Sequence, residues 1–555
     1  MNSPVLTTAD MQREETAFPT LNAEEMTAAR ECGRTEICQP NQSLFEAGQL
    51  PVDCFVVVSG NVDIIDTSGD TERLLVIHGP GAIIGDLNAF AGRPAVAACR
   101  ARGRTEVIRL TIAEVRILLV RAASLSEKWI AAFLRRRELL EASGFEGLRV
   151  FGNHGDEATL RLREFLYRNG VPHHWIDIAD SANSAALASL GDAPLHWPAV
   201  VWSHDVLLQN PTLHAIAARV GLLTDIPDET FDTVIIGSGP AGLGAAVYAA
   251  SEGLRTVVLD RIGPGGQAGA SSRVENYPGF PAGLSGRELG LRMYVQALKF
   301  GATFSAPVNV TELRCRDGGL HEVVTESGSV VRTRTIIIGT GVTYRSPEVK
   351  GLRELRGPGV FYSATQVEAL LCQHRPVHVI GAGNSAGQAA MYLSKFTDQV
   401  HLIVRGGDLN KSMSSYLAER VKANPRIRIL LQCQLRAIEG TTELERVHLE
   451  NTATGGSSFE ESGGVFIFIG ASPCTGFLGD GILKDEKGFI LTGAEACATN
   501  RWPLANRLPC ALETSCPGIF AAGDSRSRTT KRVAFAVGDG ALAVTCVHDF
   551  LGTYA

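Results

Sequence analysis

Residues 231–260, FDTVIIGSGPAGLGAAVYAASEGLRTVVLD, decide the fold of this chain. An apolar strand is followed by three glycines in the spacing G-x-G-x-x-G and then by an apolar helix. In such a turn the first glycine permits a tight bend, the second lets a pyrophosphate approach the backbone, and the third lets the helix pack closely on the strand. The next strand ends in an acid, which is placed to accept hydrogen bonds from a ribose. The residues predicted at this dinucleotide are Gly237, Gly239, Pro240, Ala241, Gly242 and Asp260.

A second segment of the same kind covers residues 377–405, VHVIGAGNSAGQAAMYLSKFTDQVHLIVR. Its second strand ends in a basic residue instead of an acid, which suits the 2′-phosphate of NADP. The alternative is that these cations are only solvated residues on a turn. Two such folds in one chain imply a flavin that holds electrons and a nicotinamide that delivers them. The residues predicted at the second nucleotide are Gly381, Gly383, Asn384, Ser385, Ala386, Arg405 and Lys411.

Residues 231–555 resemble the low-molecular-weight thioredoxin reductase family, in which an FAD domain is interrupted by an inserted NADPH domain. The matching segments are, in order, GSGPAG, GGQAG, ENYPGF, TIIIGTGV, GAGNSAG, VFIFIGASPCTGFL and GIFAAGDSRSRTTKRVAFAVGDGALA. The resemblance implies FAD and NADP (or NAD) as cofactors, and a homodimer. By position it also implies FAD contacts from Gly265, Gly266, Gln267, Asn276, Gly523, Asp524, Arg532, Val533 and Ala534.

The chain departs from that family where a redox-active C-x-x-C normally precedes the nicotinamide segment. In GVFYSATQVEALL the two thiol positions hold Ser363 and Gln366, and no two of the twelve cysteines are separated by two residues. A hydroxyl and an amide cannot cycle between dithiol and disulfide. We therefore expect the electrons to reach another acceptor, such as ferredoxin, dioxygen, a quinone or a small disulfide. The sequence assigns no catalytic residue, and we interpret Cys372 as a small core residue.

The nicotinamide turn departs from the family pattern as well. Members of the family usually carry two adjacent arginines after the second strand, followed shortly by a third. Here Arg405 is kept, but Gly406 replaces the second arginine. The resemblance therefore implies an NAD(P) site and leaves the choice between NADPH and NADH open.

Upstream, LFEAGQLPVDCFVVVSGNVDII and HGPGAIIGDLNAFAGRPAVAACRA resemble the cyclic-nucleotide-binding domain, an antiparallel β-barrel. Ala95 stands where that family has the arginine that holds the cyclic phosphate, and Asp86 stands where it has a glutamate that binds the ribose. A charged hydrogen bond of this kind is worth about 1.5–3 kcal/mol. We therefore expect weak binding of cyclic nucleotides or none, with a docking or scaffold role as the alternative. The candidate effector residues are Gly85, Asp86, Leu87 and Arg93.

Between these regions lies a small unit of alternating strands and helices, which resembles a degenerate glutaredoxin or thioredoxin-like domain. WPAVV at residues 197–201 matches the place where that family keeps a cis-proline before an edge strand. FGNHGDEATL, residues 151–160, contains no cysteine where the active dithiol would lie. This unit therefore also lacks a redox-active pair.

Length and composition agree with several globular domains. The 555 residues suggest three to four domains, and 45% hydrophobic with 20% charged residues is ordinary for globular proteins. A net charge of −7 provides no positive field for a nucleic acid. No apolar run reaches the roughly 18 residues that span a bilayer, and no export signal is visible, so we expect a cytoplasmic protein without membrane insertion. We further expect reduced cysteines and no metal site.

The predicted fold class is multidomain α/β, with two Rossmann-like dinucleotide-binding domains of three layers. A β-barrel and a small thioredoxin-like unit precede them. The alternative to an NAD(P)H oxidoreductase is a regulatory flavin and nucleotide sensor, in which turnover is incidental and the N-terminal modules bind partners or effectors. The predicted boundaries are a mobile arm at 1–25, the barrel at 26–143, the thioredoxin-like unit at 147–224, the FAD-binding domain at 231–345 with 470–555, and the NAD(P)-binding domain at 346–469.

Overall fold

The structure of the chain is a computed structural model. It describes residues 14–553 except 68–70, 86, 143–147, 154–155, 192–194, 203–205, 225, 271–273, 275–276, 317–319, 353–354, 356–358, 363, 365–367, 370–371, 442 and 499–500. Four residues singled out by the sequence analysis therefore lie outside the described residues: Asp86, Asn276, Ser363 and Gln366.

The first domain is built from two four-stranded antiparallel sheets, in which strands with many buried apolar side chains face each other. One sheet has the order β1-β8-β3-β6 and the other β2-β7-β4-β5. The strands are β1 (Arg34–Cys38), β2 (Ser43–Phe45), β3 (Cys54–Ser59), β4 (Val62–Asp66), β5 (Arg73–His78), β6 (Ile83–Ile84), β7 (Ala98–Ala101) and β8 (Thr105–Leu110). The helices are α1 (Ala23–Cys32), α2 (Leu87–Phe90), α3 (Ile112–Arg121) and α4 (Ala123–Ala142).

Residues 14–25 of the predicted arm are packed on this domain. Glu14 forms an ion pair with Arg135 of α4, and Ala17 is fully buried. Asn22 begins α1 in a capping box, in which its side chain accepts from the Glu25 amide while the Glu25 carboxylate accepts from the Asn22 amide. The described part of the arm therefore belongs to the folded domain.

The second unit has a mixed four-stranded sheet of order β10-β9-β11-β12, with β10 parallel to β9 and β11 antiparallel to it. The predicted cis peptide is present between Trp197 and Pro198. The strand that follows it, however, is an inner strand of the sheet and not an edge strand. The elements are β9 (Leu148–Gly152), α5 (Glu157–Arg168), β10 (His174–Asp177), α6 (Ser184–Ala188), β11 (Ala199–Trp202), β12 (Val206–Gln209) and α7 (Leu213–Arg219).

The third unit begins with β13 (Thr230–Ile236) at the centre of a seven-stranded sheet. Its neighbours β14 and β18 are both parallel to it, as the continuous apolar strand predicts. The elements up to residue 345 are β13, α8 (Pro240–Ser251), β14 (Thr256–Leu259), α9 (Gly286–Lys299), β15 (Thr303–Ser305), β16 (Val310–Arg314), β17 (His321–Thr325), β18 (Val330–Ile338) and β19 (Val342–Tyr344).

The inserted fourth unit has a parallel sheet of order β20-β27-β21-β22-β23 and a separate antiparallel meander of order β24-β25-β26. The meander covers the face of the sheet opposite α10, and the two share an apolar core that includes Ile380, Ile403 and Leu435. The elements are β20 (Val360–Phe361), β21 (Val377–Ile380), α10 (Asn384–Leu393), β22 (Val400–Val404), α11 (Ser415–Ala423), β23 (Ile427–Leu431), β24 (Cys433–Glu439), β25 (Arg446–Asn451), β26 (Ser457–Glu461) and β27 (Gly464–Ile467).

The chain then returns to the third unit. There β29 pairs in parallel with β18, so that the two separated segments form one sheet. The returning elements are β28 (Ala471–Pro473), α12 (Ala494–Cys497), β29 (Ile519–Ala521) and α13 (Val533–Thr553). This arrangement agrees with the predicted fold class, in which one dinucleotide-type domain is inserted into another.

The helix α13 has the length and apolar composition of a membrane-spanning helix. Among the described residues it is the single helix that meets both criteria. It packs along α8, and Ala543, Val547 and Phe550 are buried in the same core as Ala245. Its apolar face therefore forms part of the interior of the third unit.

The cysteines depart from the prediction that all are reduced. Cys510 and Cys546 are joined by a disulfide, with their Cα atoms 5.9 Å apart. Spacing along the sequence could not reveal the pair, because 36 residues separate the two cysteines and only packing of α13 against the preceding loop brings them together.

Candidate functional site

The first glycine-rich turn connects β13 to α8, and its glycines have the roles predicted for them. Gly237 has a φ of +100°, which favours glycine, and a Cβ there would lie 2.6 Å from the Gly339 carbonyl oxygen. A Cβ on Gly242 would lie 1.8 Å from the Gly237 carbonyl oxygen, so this position permits only glycine. At Gly239, which caps α8, the nearest atom to such a Cβ is the Gly266 Cα at 3.7 Å. A side chain at the second glycine would therefore make only an ordinary van der Waals contact, with the Gly266 backbone.

Two buried hydroxyls without partners lie in or beside the first glycine-rich turn. Ser238 is fully buried inside the turn, and Thr340 follows the end of β18, where its Cα lies next to Gly237. Neither Ser238 Oγ nor Thr340 Oγ1 has a hydrogen-bond partner among the described residues. Buried polar atoms normally have partners, so both hydroxyls are exceptions at this turn. The sequence analysis quoted both residues within their motifs but assigned neither to the site.

Asp260 ends β14, as predicted, but its carboxylate is engaged by the backbone. One oxygen accepts from the amides of Ile262 and Gly263, both at 2.7 Å, and the other accepts from the Ser238 amide at 2.6 Å. These bonds connect the turn after β14 to the glycine-rich turn. The contact that the structure shows for Asp260 is therefore with the protein's own turns; a ribose contact stays a prediction.

The other segments predicted to contact FAD converge on the same turn. A Cβ on Gly266 would lie 2.7 Å from the Gly239 Cα, and the Gly265 amide donates to the Ser238 carbonyl at 2.8 Å. A Cβ on Gly523 would lie 2.8 Å from the Ala241 side chain. The halves of the site before and after the inserted unit thus meet at α8. Gln267 is half-buried, and Pro240 begins α8.

Asp524 follows β29, and burial raises the pKa of its carboxyl group. No described residue donates a hydrogen bond to this carboxylate, and Lys531 Nζ donates instead to the Asp524 carbonyl at 3.4 Å. A partly buried carboxylate of this kind fits the hydroxyl groups of a ribityl chain. Arg532 and Ala534 are exposed, and Val533, the first residue of α13, is half-buried.

The second glycine-rich turn connects β21 to α10 and has the same form. Gly381 has a φ of +147°, and a Cβ there would lie 2.4 Å from the Phe468 carbonyl oxygen. Gly383 caps α10, and Ala386 is fully buried beneath the turn. The Asn384 side chain accepts from the Ser414 amide at 2.8 Å and so connects the turn to the start of α11.

The four polar residues predicted beside this turn are all exposed: Asn384, Ser385, Arg405 and Lys411. Arg405 directly follows β22, and Lys411 ends the short 3-10 helix after it. Neither cation forms an ion pair with any residue in the ranges that the structure describes. Both are therefore available to an anionic group at the carboxyl edge of the sheet.

Cys372 lies in the core of the inserted unit and is fully buried. Its thiol donates to the Gly463 carbonyl at 3.3 Å, and burial raises its pKa to about 12. A thiol with such a pKa stays protonated at neutral pH and is a poor nucleophile. The structure thus agrees with the interpretation of Cys372 as a core residue.

The first domain contains an apolar cavity of about 110 Å³ between its barrel and α4. Gly85, Leu87 and Ala95 line it, together with Phe18 and Phe133. Arg93 is not among the lining residues. Its guanidinium is buried and donates to the Asn169 carbonyl at 2.9 Å and to Tyr294 Oη at 3.0 Å, in the second and third units. The candidate effector residues are therefore divided between the cavity and a domain interface.

Comparisons with known proteins cover both ends of the chain. Residues 231–540 match the family profile described as pyridine nucleotide-disulphide oxidoreductase, and residues 36–121 match that of the cyclic nucleotide-binding domain. The chain is 35% identical over 323 residues to the thioredoxin reductase of Treponema pallidum, which covers 58% of this chain and 98% of the relative. It is 33% identical over 325 residues to the thioredoxin reductase of Bacillus subtilis, covering 58% and 96%.

Solved structures give the same result for the C-terminal part. A thioredoxin reductase from Streptococcus pyogenes superposes with a TM-score of 0.52 at 33% identity, covering 59% of this chain and 100% of that chain. A thioredoxin reductase from Giardia duodenalis has the same TM-score and coverage at 26% identity. Both similarities leave the first two domains of this chain unmatched by the reductases.

Proposed function

Because the chain belongs to the pyridine nucleotide-disulphide oxidoreductase family, with a thioredoxin reductase-like C-terminal part, we propose that it is an FAD-dependent NAD(P)H oxidoreductase. In this proposal the electrons go to an acceptor other than a dithiol of its own. The observation that carries it is the pair of glycine-rich turns at Gly237 and Gly381, each between a parallel strand and a helix. FAD supplies the electron-holding ring when bound, and NAD(P)H supplies the electrons.

The residues around the first turn fit FAD. The α8 helix begins directly after Gly239, and a helix N-terminus favours an anion such as a pyrophosphate. Ser238 Oγ and Thr340 Oγ1 lie unpartnered at the same turn, and Asp524 accepts from hydroxyls further along. This chain's own residues therefore bind and orient the cofactor from both segments of the domain.

The cysteines support an external acceptor. No two cysteines have the C-x-x-C spacing, and the one nearest to the usual position, Cys372, is buried with a raised pKa. The Cys510–Cys546 disulfide does not replace the missing pair, because Cys546 lies 13 residues beyond the start of α13, or about 20 Å along the helix at 1.5 Å per residue. That distance is too long for direct exchange with a flavin beside Val533.

We further propose that NADPH is the preferred donor. Arg405 and Lys411 are exposed, at the edge of the sheet where the adenosine ribose of a nicotinamide cofactor lies in this fold. A 2′-phosphate would gain two cationic partners there. The double variant Arg405→Gln with Lys411→Gln is expected to raise the KM for NADPH by more than tenfold and to change the KM for NADH little.

Anaerobic stopped-flow mixing tests the proposal. The flavin absorbance is expected to bleach on mixing with NADPH and to return when a suitable acceptor is added, with ferredoxin, a quinone and dioxygen tested in turn. Oxidised thioredoxin is expected to give no catalytic turnover in a coupled insulin assay. Thioredoxin turnover that survives both Cys372→Ser and Cys546→Ser would show that another relay exists, and a protein that stays colourless with excess FAD would contradict the cofactor assignment.

A second role, regulation by the first domain, is favoured by a continuous chain of hydrogen bonds. Arg93 donates to the Asn169 carbonyl, and Asn169 Nδ2 donates to the Ile262 carbonyl at 2.7 Å. The Ile262 amide then donates to Asp260, whose other oxygen accepts from Ser238 in the glycine-rich turn. We propose that a ligand or partner of the first domain acts on the flavin site through this chain.

Cyclic nucleotides are poor candidates for that ligand. The cavity is lined mainly by apolar side chains, and its 110 Å³ is less than the roughly 150 Å³ cavity that holds one benzene. Calorimetric titration with cyclic AMP and cyclic GMP is expected to give weak binding or none. Sub-micromolar binding of either nucleotide by the unaltered protein would overturn the argument.

A further inference from the structure

Two histidines and a glutamate meet in the inserted unit, away from both nucleotide turns. His378 on β21 and His401 on β22 are register partners on neighbouring parallel strands, and Glu460 faces them from β26 of the meander. His401 Nδ1 lies 2.6 Å from Glu460 Oε2 and 3.0 Å from His378 Nε2, and the third side of the triangle is 3.3 Å. Three ligand atoms on three strands thus converge on one point.

The position is buried and separate from the nucleotide turn. His378 is fully buried, the His401 side chain is 8% exposed and Glu460 is 20% exposed. His378 precedes Gly381 by three residues, which is about 10 Å along an extended strand. The cluster lies in the layer between the parallel sheet and the meander.

Hydrogen bonds fix the ring of His378 so that a lone pair points into the cluster. Ser462 Oγ donates to the Gly464 carbonyl at 3.1 Å, and its oxygen therefore accepts from His378 Nδ1 at 2.9 Å. With the proton on Nδ1, the neutral ring presents the lone pair of Nε2 to the other two side chains. Outer partners of this kind hold metal-binding histidines in the required tautomer.

Hydrogen bonds among the three side chains cannot pair all three of these nitrogen and oxygen atoms. One proton on His401 Nδ1 can bond Glu460, but His378 Nε2 and Glu460 Oε2 then face each other at 3.3 Å as two acceptors. A cation at the centre accepts all three lone pairs at once, while His401 moves its proton to Nε2, which has no other partner among the described residues. The binding therefore needs a change of tautomer and no net loss of a proton.

The donor atoms select the kind of cation. Two imidazole nitrogens and one carboxylate oxygen are ligands of zinc, whereas calcium and magnesium prefer six or more oxygens. In a tetrahedral zinc site with bonds of 2.0–2.1 Å, neighbouring ligand atoms are about 3.3 Å apart. The observed separations of 2.6–3.3 Å need to expand by about 0.7 Å at most. Three protein ligands leave the fourth tetrahedral position for a water molecule.

We propose that His378, His401 and Glu460 bind one divalent first-row transition metal ion, with zinc preferred, and that the ion ties the meander to the parallel sheet of the inserted unit. The second carboxylate oxygen, Glu460 Oε1, lies 3.8 Å from Arg428 Nη1, on the side of the carboxylate away from the histidines. The site is independent of the flavin chemistry, and its loss leaves both nucleotide turns in place.

Zinc titration of the full-length, chelator-treated protein tests the site. Competition with a chromophoric chelator is expected to show one more tightly bound zinc in the unaltered protein than in His401→Gln or Glu460→Gln. The matched control is His448→Gln on β25, a histidine of the same meander that stacks on Phe459 and lies outside the cluster. Ser462→Ala is expected to weaken zinc binding 10–100-fold, as loss of an outer partner does elsewhere.

Cobalt substitution separates this site from the free cysteines of the chain. Cobalt(II) held by nitrogen and oxygen in a four-coordinate site gives visible bands without the near-ultraviolet thiolate band. Visible bands in the unaltered protein and in His448→Gln, lost in Glu460→Gln, support the proposal. Equal zinc content in the unaltered protein and in all variants would overturn the proposal. Unaltered protein without visible cobalt bands would also overturn it, and this result does not depend on whether a variant folds.

Discussion

At the scale of single residues, Asp260 shows how one side chain can belong to a site and to its framework. The sequence assigns this acid to a ribose, and the structure shows its two oxygens accepting from three backbone amides. Bonds from backbone amides to a carboxylate are strong because the acceptor is charged. The side chain therefore holds the glycine-rich turn in the form that a dinucleotide needs.

The second and third glycines of the first turn are expected to respond differently to alanine. In Gly239→Ala the nearest neighbour of the new Cβ is 3.7 Å away, and the φ of −72° suits alanine, so the chain is expected to fold and lose only bound flavin. In Gly242→Ala the Cβ would overlap the Gly237 carbonyl oxygen, so stability is expected to fall as well. Flavin-to-protein absorbance together with a thermal melt separates the two outcomes. Full flavin content in Gly239→Ala would contradict the pyrophosphate path.

His78 makes the stability of the first domain depend on pH. Burial, with the charge of Arg136, lowers its pKa from 6.5 to about 3, so the native state excludes a proton that the unfolded state binds below pH 6.5. The stabilisation is therefore full above pH 6.5 and is lost as pH falls toward 3, by about 1.4 kcal/mol per pH unit in that window. The thermal midpoint of His78→Gln is expected to fall less steeply between pH 6.5 and pH 4.5 than that of the unaltered protein. Parallel pH profiles would show that His78 is not the group responsible.

At the scale of elements, the apolar composition of helix α13 suits either a membrane or a protein core, and its packing shows which of the two applies. Its length and apolar composition suit a membrane, yet its glycines let it approach α8 closely: a Cβ on Gly540 would lie 2.2 Å from the Ala241 carbonyl oxygen. Such close packing places one face of α13 in the core and the beginning of the helix beside Asp524. The element thus positions the second half of the proposed flavin site.

The disulfide that fastens α13 to the preceding loop is expected to stabilise the third unit. Closing a loop across 36 residues removes unfolded-state entropy worth about 2–4 kcal/mol. Without reductant, Cys546→Ser is expected to unfold at a lower temperature than the unaltered protein. Its thermal midpoint should then equal that of the unaltered protein measured with reductant. Cys497→Ser on α12 is the control, because Cys497 is a free cysteine. Thiol titration of the unfolded protein without reductant is expected to count ten reactive thiols. A count of twelve would show that the disulfide is absent.

At the scale of the whole molecule, the first domain and the third unit share one core. Phe90 and Trp129 of the first domain belong to the same apolar cluster as Leu289 and Met293 of α9. Lys299 at the end of α9 donates to Ser126 of α4 at 2.9 Å. An apolar core shared in this way resists relative motion far more than a polar interface does. This shared core gives the proposed regulation a direct route, because α9 belongs to the third unit itself.

Arg93 is the polar centre of that junction. Arg93→Ala leaves the Asn169 carbonyl and the Tyr294 hydroxyl unpaired in a buried interface, which is expected to cost about 1–3 kcal/mol for each group. Calorimetry is expected to show a lower midpoint or two separate transitions, and fluorescence titration a weaker affinity for FAD. Arg102→Ala is the control, because its ion pair with Asp63 is half-exposed and worth less than about 1 kcal/mol. Equal effects in the two variants would remove the case for coupling through Arg93.

Much of this architecture follows from local patterns, because each glycine-rich turn contains its own geometric reason. Gly237 and Gly381 have positive φ values that glycine adopts without strain, so spacing alone predicts both turns and the parallel sheets around them. The antiparallel first domain also follows from short segments, and the cis bond before Pro198 follows from the resemblance of WPAVV to the thioredoxin-like fold. In all these cases the residues that matter are close in the chain.

Contacts between distant residues could be decided only by the tertiary structure. The pairing of Cys510 with Cys546, the engagement of Arg93 with Tyr294 201 residues later, and the meeting of His378 with Glu460 all join residues whose local sequence carries no sign of the partner. Turn geometry is determined by the dihedral preferences of neighbouring residues, which the sequence states directly. The partner of a buried charged or polar group is instead determined by which elements pack together, and that depends on the whole chain at once.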